Sequence, residues 1–373
     1  VDTLLLETAQ DTRNVKAGLL GCHLAMDDLK VTIPIAVSGT IEPMGTMLAG
    51  QSAEALVASL AHEDLLYIGL NCATGPEFMT DHIRTIAGLT RSRVAVVPNA
   101  GLPDENGVYR ETPDMLASVI SRFGAAGWVN LIGGCCGTRP EHITELKRVA
   151  DAMRPRELTS TPRSFLSGIE ALDVTDEIRP VIVGERTNVI GSRKFKEMIV
   201  AEKFEEAAEI ARAQVKNGAQ IIDVCLANPD RNELEDLKKF LFYVTKMVKV
   251  PLMIDSTDET CVEESLKWCQ GKAIINSINL EDGEERYEKV VPLAKKYGAA
   301  LVVGTIDDDP KQGMGVTRQR KLEIAQRSFD LLTKKYGILP EDIWWDVLVF
   351  PCATGDAQYV GSALETIEGV RLV

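Results

Sequence analysis

The sequence contains no run of about 18 apolar residues, so no membrane-crossing helix is expected from it. Its opening residues, Val1-Asp2-Thr3-Leu4-Leu5-Leu6-Glu7, offer neither a basic stretch nor a cleavage pattern, which excludes a visible secretory signal. They also lack a Met, as in a chain that has been trimmed or begins mid-protein. Positive charge is in short supply: 41 Lys and Arg against 55 Asp and Glu give a net charge of −14. A phosphate backbone requires clustered Lys and Arg, so no nucleic-acid partner is expected, and no membrane partner either. Eight cysteines in 373 residues are too few for a disulfide scaffold, and reduced thiols in a cytoplasmic protein are expected. Neither G-x-G-x-x-G nor P-loop spacing occurs, which argues against a nucleotide-binding sheet.

What is present is a foldable chain. Hydrophobic residues at 45% and charged residues at 26% are ordinary for a globular protein. At about 150 residues per domain the length suggests two domains or slightly more. Apolar runs of strand length, at 3–7, 33–38, 66–72, 94–98 and 129–133, alternate with amphipathic stretches at 14–29, 53–62, 115–123 and 140–153. The periodicity fades over 154–180, a Thr/Ser-rich stretch with Pro155, Pro162 and Pro180, which reads as a linker with one short helix. It then restarts. Strands are expected at 181–184, 220–225, 251–255, 273–278, 299–305 and 343–350, and helices at 204–216, 234–248, 261–269, 287–297 and 320–336. Composition shifts at the same place, since only Lys16, Lys30 and Lys147 precede residue 150 and all four histidines do.

Strict alternation implies parallel strands with helical crossovers. Polar residues cluster just after the strands, as in a (β/α)8 barrel with its site at the strands' C-terminal ends; alternation alone leaves a doubly wound sheet open. The expected fold class is therefore α/β, two TIM-type (β/α)8 barrels in tandem. With five strands and then six, each is incomplete: 1–153 lacks its opening strands and 181–373 its closing ones, with 154–180 as linker.

Gly133-Gly134-Cys135-Cys136-Gly137-Thr138 directly follows a strand, and Gly69-Leu70-Asn71-Cys72 ends an earlier one. The glycines free the backbone so that neighbouring thiols can turn toward one point. Three strand-end thiolates make a tripod for Zn2+ with the fourth position open, the arrangement of a catalytic site; the competing reading is three thiols lining a barrel end. Together with Glu7-Thr8 and Asp11, these runs resemble the zinc-dependent homocysteine methyltransferase domain over residues 1 to about 150. The resemblance implies that Cys72, Cys135 and Cys136 hold zinc and that the homocysteine sulfur takes the open position. It also implies that Glu7 and Asn71 grip the amino-acid end of that substrate, against strand-end capping as the alternative.

In the second half each strand brings a carboxylate or amide near its end: Asp223, Asp255, Asn276, Asp307 and Asp346, after Gly184-Glu185-Arg186-Thr187-Asn188 and Gly191-Ser192-Arg193. A single such residue often caps the next helix. Converging carboxylates without a basic counterpart suit a heterocycle rich in N–H donors, such as a pterin, with Mg2+ as the competing ligand. Gly-Glu-Arg-Thr-Asn, Gly-Ser-Arg-Lys-Phe, Ile-Asp-Ser-Thr and Ile-Asn-Ser-Ile-Asn resemble the pterin-binding domain of methyltetrahydrofolate methyltransferases, over about 180–373. That resemblance implies folate contacts from Gly191, Ser192, Arg193, Asp255, Asn276 and Asp346, with Asn276 also acting catalytically. One departure is Cys225, where the family commonly has Asn.

In this order the two halves resemble the front of the cobalamin-dependent methionine synthase family. The resemblance implies methyl transfer from 5-methyltetrahydrofolate through cobalamin to zinc-bound homocysteine, giving methionine and tetrahydrofolate. Cobalamin would then be held by a cobalamin-binding domain outside these residues. A corrinoid methyltransferase with another donor, and a non-catalytic fragment that binds zinc and folate, are the alternatives.

Overall fold

The computed structural model describes residues 1–159 and 161–373; Ser160, inside the expected linker, lies outside the described residues. The chain divides into two compact units, Val1–Pro162 with Ser167–Ala171, and Arg163–Leu166 with Leu172–Val373.

The first unit alternates β1 (Leu4–Ala9), α1 (Thr12–Leu29), β2 (Ile35–Gly39), α2 (Ala53–Leu60), β3 (Leu65–Asn71), α3 (Thr80–Leu89), β4 (Arg93–Val97), α4 (Pro113–Ala125), β5 (Leu131–Ile132) and α5 (Pro140–Ala152). Its strands pair in parallel in the order β1-β2-β3-β4-β5. A doubly wound sheet reverses direction at a switch point, whereas this sheet adds each strand on the same side, as a barrel does. Strand β2 is buried throughout, which is why it reads as a continuous apolar run. The core packs Val37, Leu56, Ile68, Leu70, Val94, Val96, Ile120 and Phe123 between sheet and helices. Helices begin where the sequence signals them: Asp11 caps α1, Ser52 caps α2 and Thr112 caps α4, each accepting from backbone N–H groups.

A hairpin of β6 (Phe165–Ser167) and β7 (Ala171–Asp173) follows, then a single 3-10 turn at Asp176–Ile178. The sequence reading expects a linker with one short helix here. Three-residue strands are too short to display alternation, so the hairpin leaves no periodic trace.

The second unit runs β8 (Val183–Gly184), α6 (Arg193–Val200), α7 (Phe204–Lys216), β9 (Ile221–Val224), α8 (Glu233–Met247), β10 (Leu252–Asp255), α9 (Glu259–Trp268), β11 (Ile274–Leu280), α10 (Glu285–Tyr297), β12 (Ala300–Asp307), α11 (Arg318–Asp330), β13 (Ile343–Asp346) and α12 (Ser362–Leu372). Its six strands are again parallel and in chain order from β8 to β13. Both units are thus TIM-barrel-type, and neither sheet reaches the eight strands of a closed barrel. Strand β13 stops four residues before the expected end. There the Asp346 carboxylate accepts from Leu348 N at 2.9 Å, and Leu348 turns into the left-handed region at φ 60°.

Candidate functional site

In the first unit the loops after β3 and β5 meet. Strand β3 approaches β4 so closely that a Cβ on Gly69 would lie 2.3 Å from the Ala95 carbonyl, so only glycine fits. Beyond Asn71, Cys72 and Ala73 both adopt left-handed φ, 61° and 54°, and Thr74 N closes the turn on Cys72 O at 2.6 Å. The double-cysteine loop is held from behind by the loop after β4. Cys135 N donates to Pro98 O at 2.8 Å, Cys136 N to Asn99 Oδ1 at 3.0 Å, and Ala100 N to Cys136 O at 2.9 Å. Gly137, at φ 77°, lies flat under Tyr109, and a Cβ there would stand 2.2 Å from the ring.

These turns bring three thiols together from 64 residues apart. Cys72 Sγ lies 3.6 Å from Cys136 Sγ, which lies 4.0 Å from Cys135 Sγ, and all three fall within 4.8 Å of one another. Tetrahedral zinc with bonds of about 2.3 Å separates its sulfurs by roughly 3.8 Å. The residues therefore fit such a group. All eight cysteines are free. Burial, then the neighbouring Cys72 and Cys136, push the Cys135 thiol up to about 11. A bound cation would hold a coordinated thiol deprotonated.

Asn71 is buried against this cluster. Its Oδ1 accepts from Ser38 Oγ at 2.7 Å and from Thr8 N at 3.2 Å. Its Nδ2 donates to Thr8 Oγ1 at 2.8 Å and points to Cys135 Sγ at 4.0 Å. Glu7 is exposed on β1, and its charge adds to the upward shift that burial gives the Tyr67 hydroxyl.

In the second unit Asp223 and Asp255 lie at the same ends of β9 and β10, beside Asn276 on β11. Asp255 and Asn276 stand opposite each other in the β10–β11 register. Asn188 Nδ2 bridges Asp223 Oδ2 and Asp255 Oδ2, each at 3.1 Å, while its Oδ1 accepts from Ile190 N and Gly191 N. Asp223 is 1% exposed, and its Oδ1 is buried without a hydrogen-bond partner. Burial and then the Asp255 charge raise its pKa to about 7, an effect partly offset by the Asn188 and Asn276 amides. Burial likewise raises Asp255. Cys225, just after β9, is pushed up to about 12 by burial and stays a neutral thiol.

The raised Asp223 pKa has a consequence for stability. The folded chain binds this proton more tightly than the unfolded chain, whose value is near 3.8. Asp223 therefore costs nothing at low pH and progressively destabilises the fold as pH rises from about 4 to 7. Replacing Asp223 with Asn should leave the urea midpoint unchanged near pH 4 and raise stability at pH 8 by on the order of a few kcal/mol. Parallel pH profiles of variant and wild type would contradict this.

The other sequence-predicted residues are placed differently. Asp346 lies at the same end of the sheet two strands beyond β11, exposed, with its Oδ1 on Leu348 N. Gly191, Ser192 and Arg193 lie behind Asn188: the Ser192 hydroxyl caps α6, and the Arg193 side chain, 93% exposed, pairs with Glu197 at 2.7 Å. They line a groove of about 710 Å3 with Arg186, Lys194 and residues of α7, and none of Asp223, Asp255, Asn276 or Asp346 is among its lining. Asp307 has both oxygens on the Arg320 guanidinium at 2.6 Å and is a structural anchor. Sequence reasoning missed Asn188 and Asn99 as organisers. Asn99 was marked only by its position just after a strand, whereas Asn188 closes the Gly-Glu-Arg-Thr-Asn motif.

Comparison with known proteins separates the two units. Residues 184–372 match the pterin binding enzyme family, and the chain belongs to that family. Residues 1–150 match homocysteine S-methyltransferase. A homocysteine S-methyltransferase domain followed by a pterin-binding domain is the arrangement of the N-terminal modules of cobalamin-dependent methionine synthases. Among solved structures, the chain is similar to the apo form of the homocysteine methyltransferase MmuM from Escherichia coli, with 27% identity and a TM-score of 0.32 over 40% of this chain. It spans 49% of that protein's length. It is also similar to dihydropteroate synthase from Stenotrophomonas maltophilia, with 16% identity and a TM-score of 0.38 over 52% of this chain and 69% of that one. For the Xanthomonas albilineans dihydropteroate synthase bound to 7,8-dihydropteroate the figures are 14%, 0.37, 54% and 70%. No helix among the described residues is long and apolar enough to cross a membrane.

Proposed function

We propose that the chain carries a methyl group from 5-methyltetrahydrofolate, by way of cobalamin held on a cobalamin-binding domain, to homocysteine held on zinc. The observation that carries this reading is the three-sulfur cluster of Cys72, Cys135 and Cys136 in a chain that also belongs to the pterin binding enzyme family. Bound there, zinc would keep a fourth sulfur as thiolate at a pH where a free thiol, of pKa about 8.5, is mostly protonated. Asn71, bonded to Thr8 and directed at Cys135, would orient that thiol, and the exposed Glu7 would receive the ammonium of the amino acid. The free thiols suit a reducing, cytoplasmic setting.

In the second unit, Asp255 accepts from the pterin N–H groups, and Asp346 approaches from across the mouth. Gly191, Ser192 and Arg193 frame a groove lined by Arg186, Arg193 and Lys194 as well as Glu206 and Glu209, whose cations would meet the carboxylates of a folate tail. An amine anion is a poor leaving group, so N5 must be protonated or hydrogen-bonded as its methyl departs. Asn276 supplies that contact. Asn276→Ala should weaken folate binding by less than about fivefold but slow the transfer by about 100-fold, because the amide acts on charge that develops in the transition state. Titration calorimetry and single-turnover kinetics separate the two effects, and an affinity loss as large as the rate loss would remove Asn276 from the chemistry.

Two assays with free cofactor test the whole reading: transfer from methyltetrahydrofolate to cob(I)alamin, and from methylcobalamin to homocysteine. Both should proceed. Transfer only to homocysteine would point to another methyl donor, and neither, despite zinc and folate binding, to a non-catalytic fragment.

A further inference from the structure

Arg286 stands in the first turn of α10, where the helix dipole disfavours a cation. Burial also lowers its pKa, so the charged form is costly at this position. Its guanidinium is turned onto backbone carbonyls. Nη2 donates to Ser256 O and Nη1 to Thr257 O, both at 2.7 Å, and Nε reaches Ser277 O at 3.4 Å. Ser256 and Thr257 are the two residues after Asp255, and Ser277 is the residue after Asn276. One side chain thus ties the residues just after β10 to the middle of β11, immediately behind the two groups that stand opposite each other in the register. The same device recurs on β13, where the fully buried Lys321 ammonium donates to the carbonyls of Val347 and Leu348, just after Asp346.

We propose that Arg286 is a positioning residue that fixes the backbone beside Asp255 and Asn276 without touching the ligand; this rests on the reading of the second unit as a pterin site. The choice of carbonyls over carboxylates has a physical rationale. A guanidinium paired directly with Asp255 would occupy the lone pairs that the pterin N–H groups need. Bonded to the carbonyls behind it, the same cation orients the carboxylate and leaves its acceptors open. The planar fork reaches two neighbouring strands at once, which an ammonium on a flexible stem does not reproduce.

Calorimetry with methyltetrahydrofolate on the full chain, alongside thermal melting, tests this with Arg286→Ala, Arg286→Lys and Asp255→Ala. Arg286→Ala should bind about tenfold more weakly, the scale of one lost charge-assisted hydrogen bond. Millimolar guanidinium should recover part of that loss in Arg286→Ala but none in Asp255→Ala. Arg286→Lys should remain folded yet bind at least about threefold more weakly than wild type. The inference is overturned by wild-type affinity in Arg286→Lys, or by a folded Arg286→Ala that guanidinium does not improve. A wild-type chain that fails to bind the folate would instead defeat the pterin reading, and this inference with it.

Discussion

Replacing any one of Cys72, Cys135 and Cys136 with Ala should strip zinc from the chain and lower homocysteine methylation by well over about 100-fold, the scale on which loss of a mere outer-shell partner acts. The three sulfurs are separated as a tetrahedral zinc site requires, and the loop after β4 holds the turn that carries two of them. Two remaining sulfurs leave two positions open rather than one, so the incoming thiol is no longer directed to a single vacancy. Folate affinity should stay within about twofold of wild type, because Asp255 and Asn276 belong to the other unit. Metal analysis, a methylcobalamin-to-homocysteine assay and folate calorimetry on the same preparations check all three statements. A variant that keeps one zinc per chain, or that loses both activities equally, would remove these cysteines from the site.

Asp255→Ala should cost the folate about 1.5–3 kcal/mol, roughly ten- to a hundredfold in affinity, because it leaves donors of a bound pterin unpaired. Asp255→Asn should do little better, since a carboxamide turns N–H donors toward N–H donors. The substitution carries an internal readout as well. The Asp255 charge helps raise its neighbour, so removing it should bring the Asp223 pKa down from about 7, visible in carboxyl NMR shifts. Normal folate binding by Asp255→Ala would make the carboxylate a loop cap and deprive the pterin reading of its main support.

Much of this was legible in the sequence because it depends on local order. Alternating apolar runs gave the strands, and their count anticipated two open sheets. The Gly-Gly-Cys-Cys-Gly run announced its chemistry because adjacent residues on one turn must point near one place. What could not be read were contacts across the sheet. Asn188 bridges two carboxylates 35 and 67 residues away, and a strand-end Asn carries no mark of that role. Asp307 looked like a member of the polar mouth but is taken by Arg320, thirteen residues on and in the following helix. Nor could it be read that the Ser192 hydroxyl caps a helix and that the Arg193 guanidinium meets Glu197. In each case a polar side chain had more than one partner within reach, and only the folded packing decided between them.

The most direct measurement is X-ray absorption at the zinc edge on the metal-loaded chain, with and without homocysteine. The expected result is three sulfur neighbours at about 2.3 Å rising to four when homocysteine is added, since Cys72, Cys135 and Cys136 fill three positions and the substrate sulfur fills the last. A sulfur count that stays the same on adding homocysteine, or a chain that binds no zinc, would contradict the central claim.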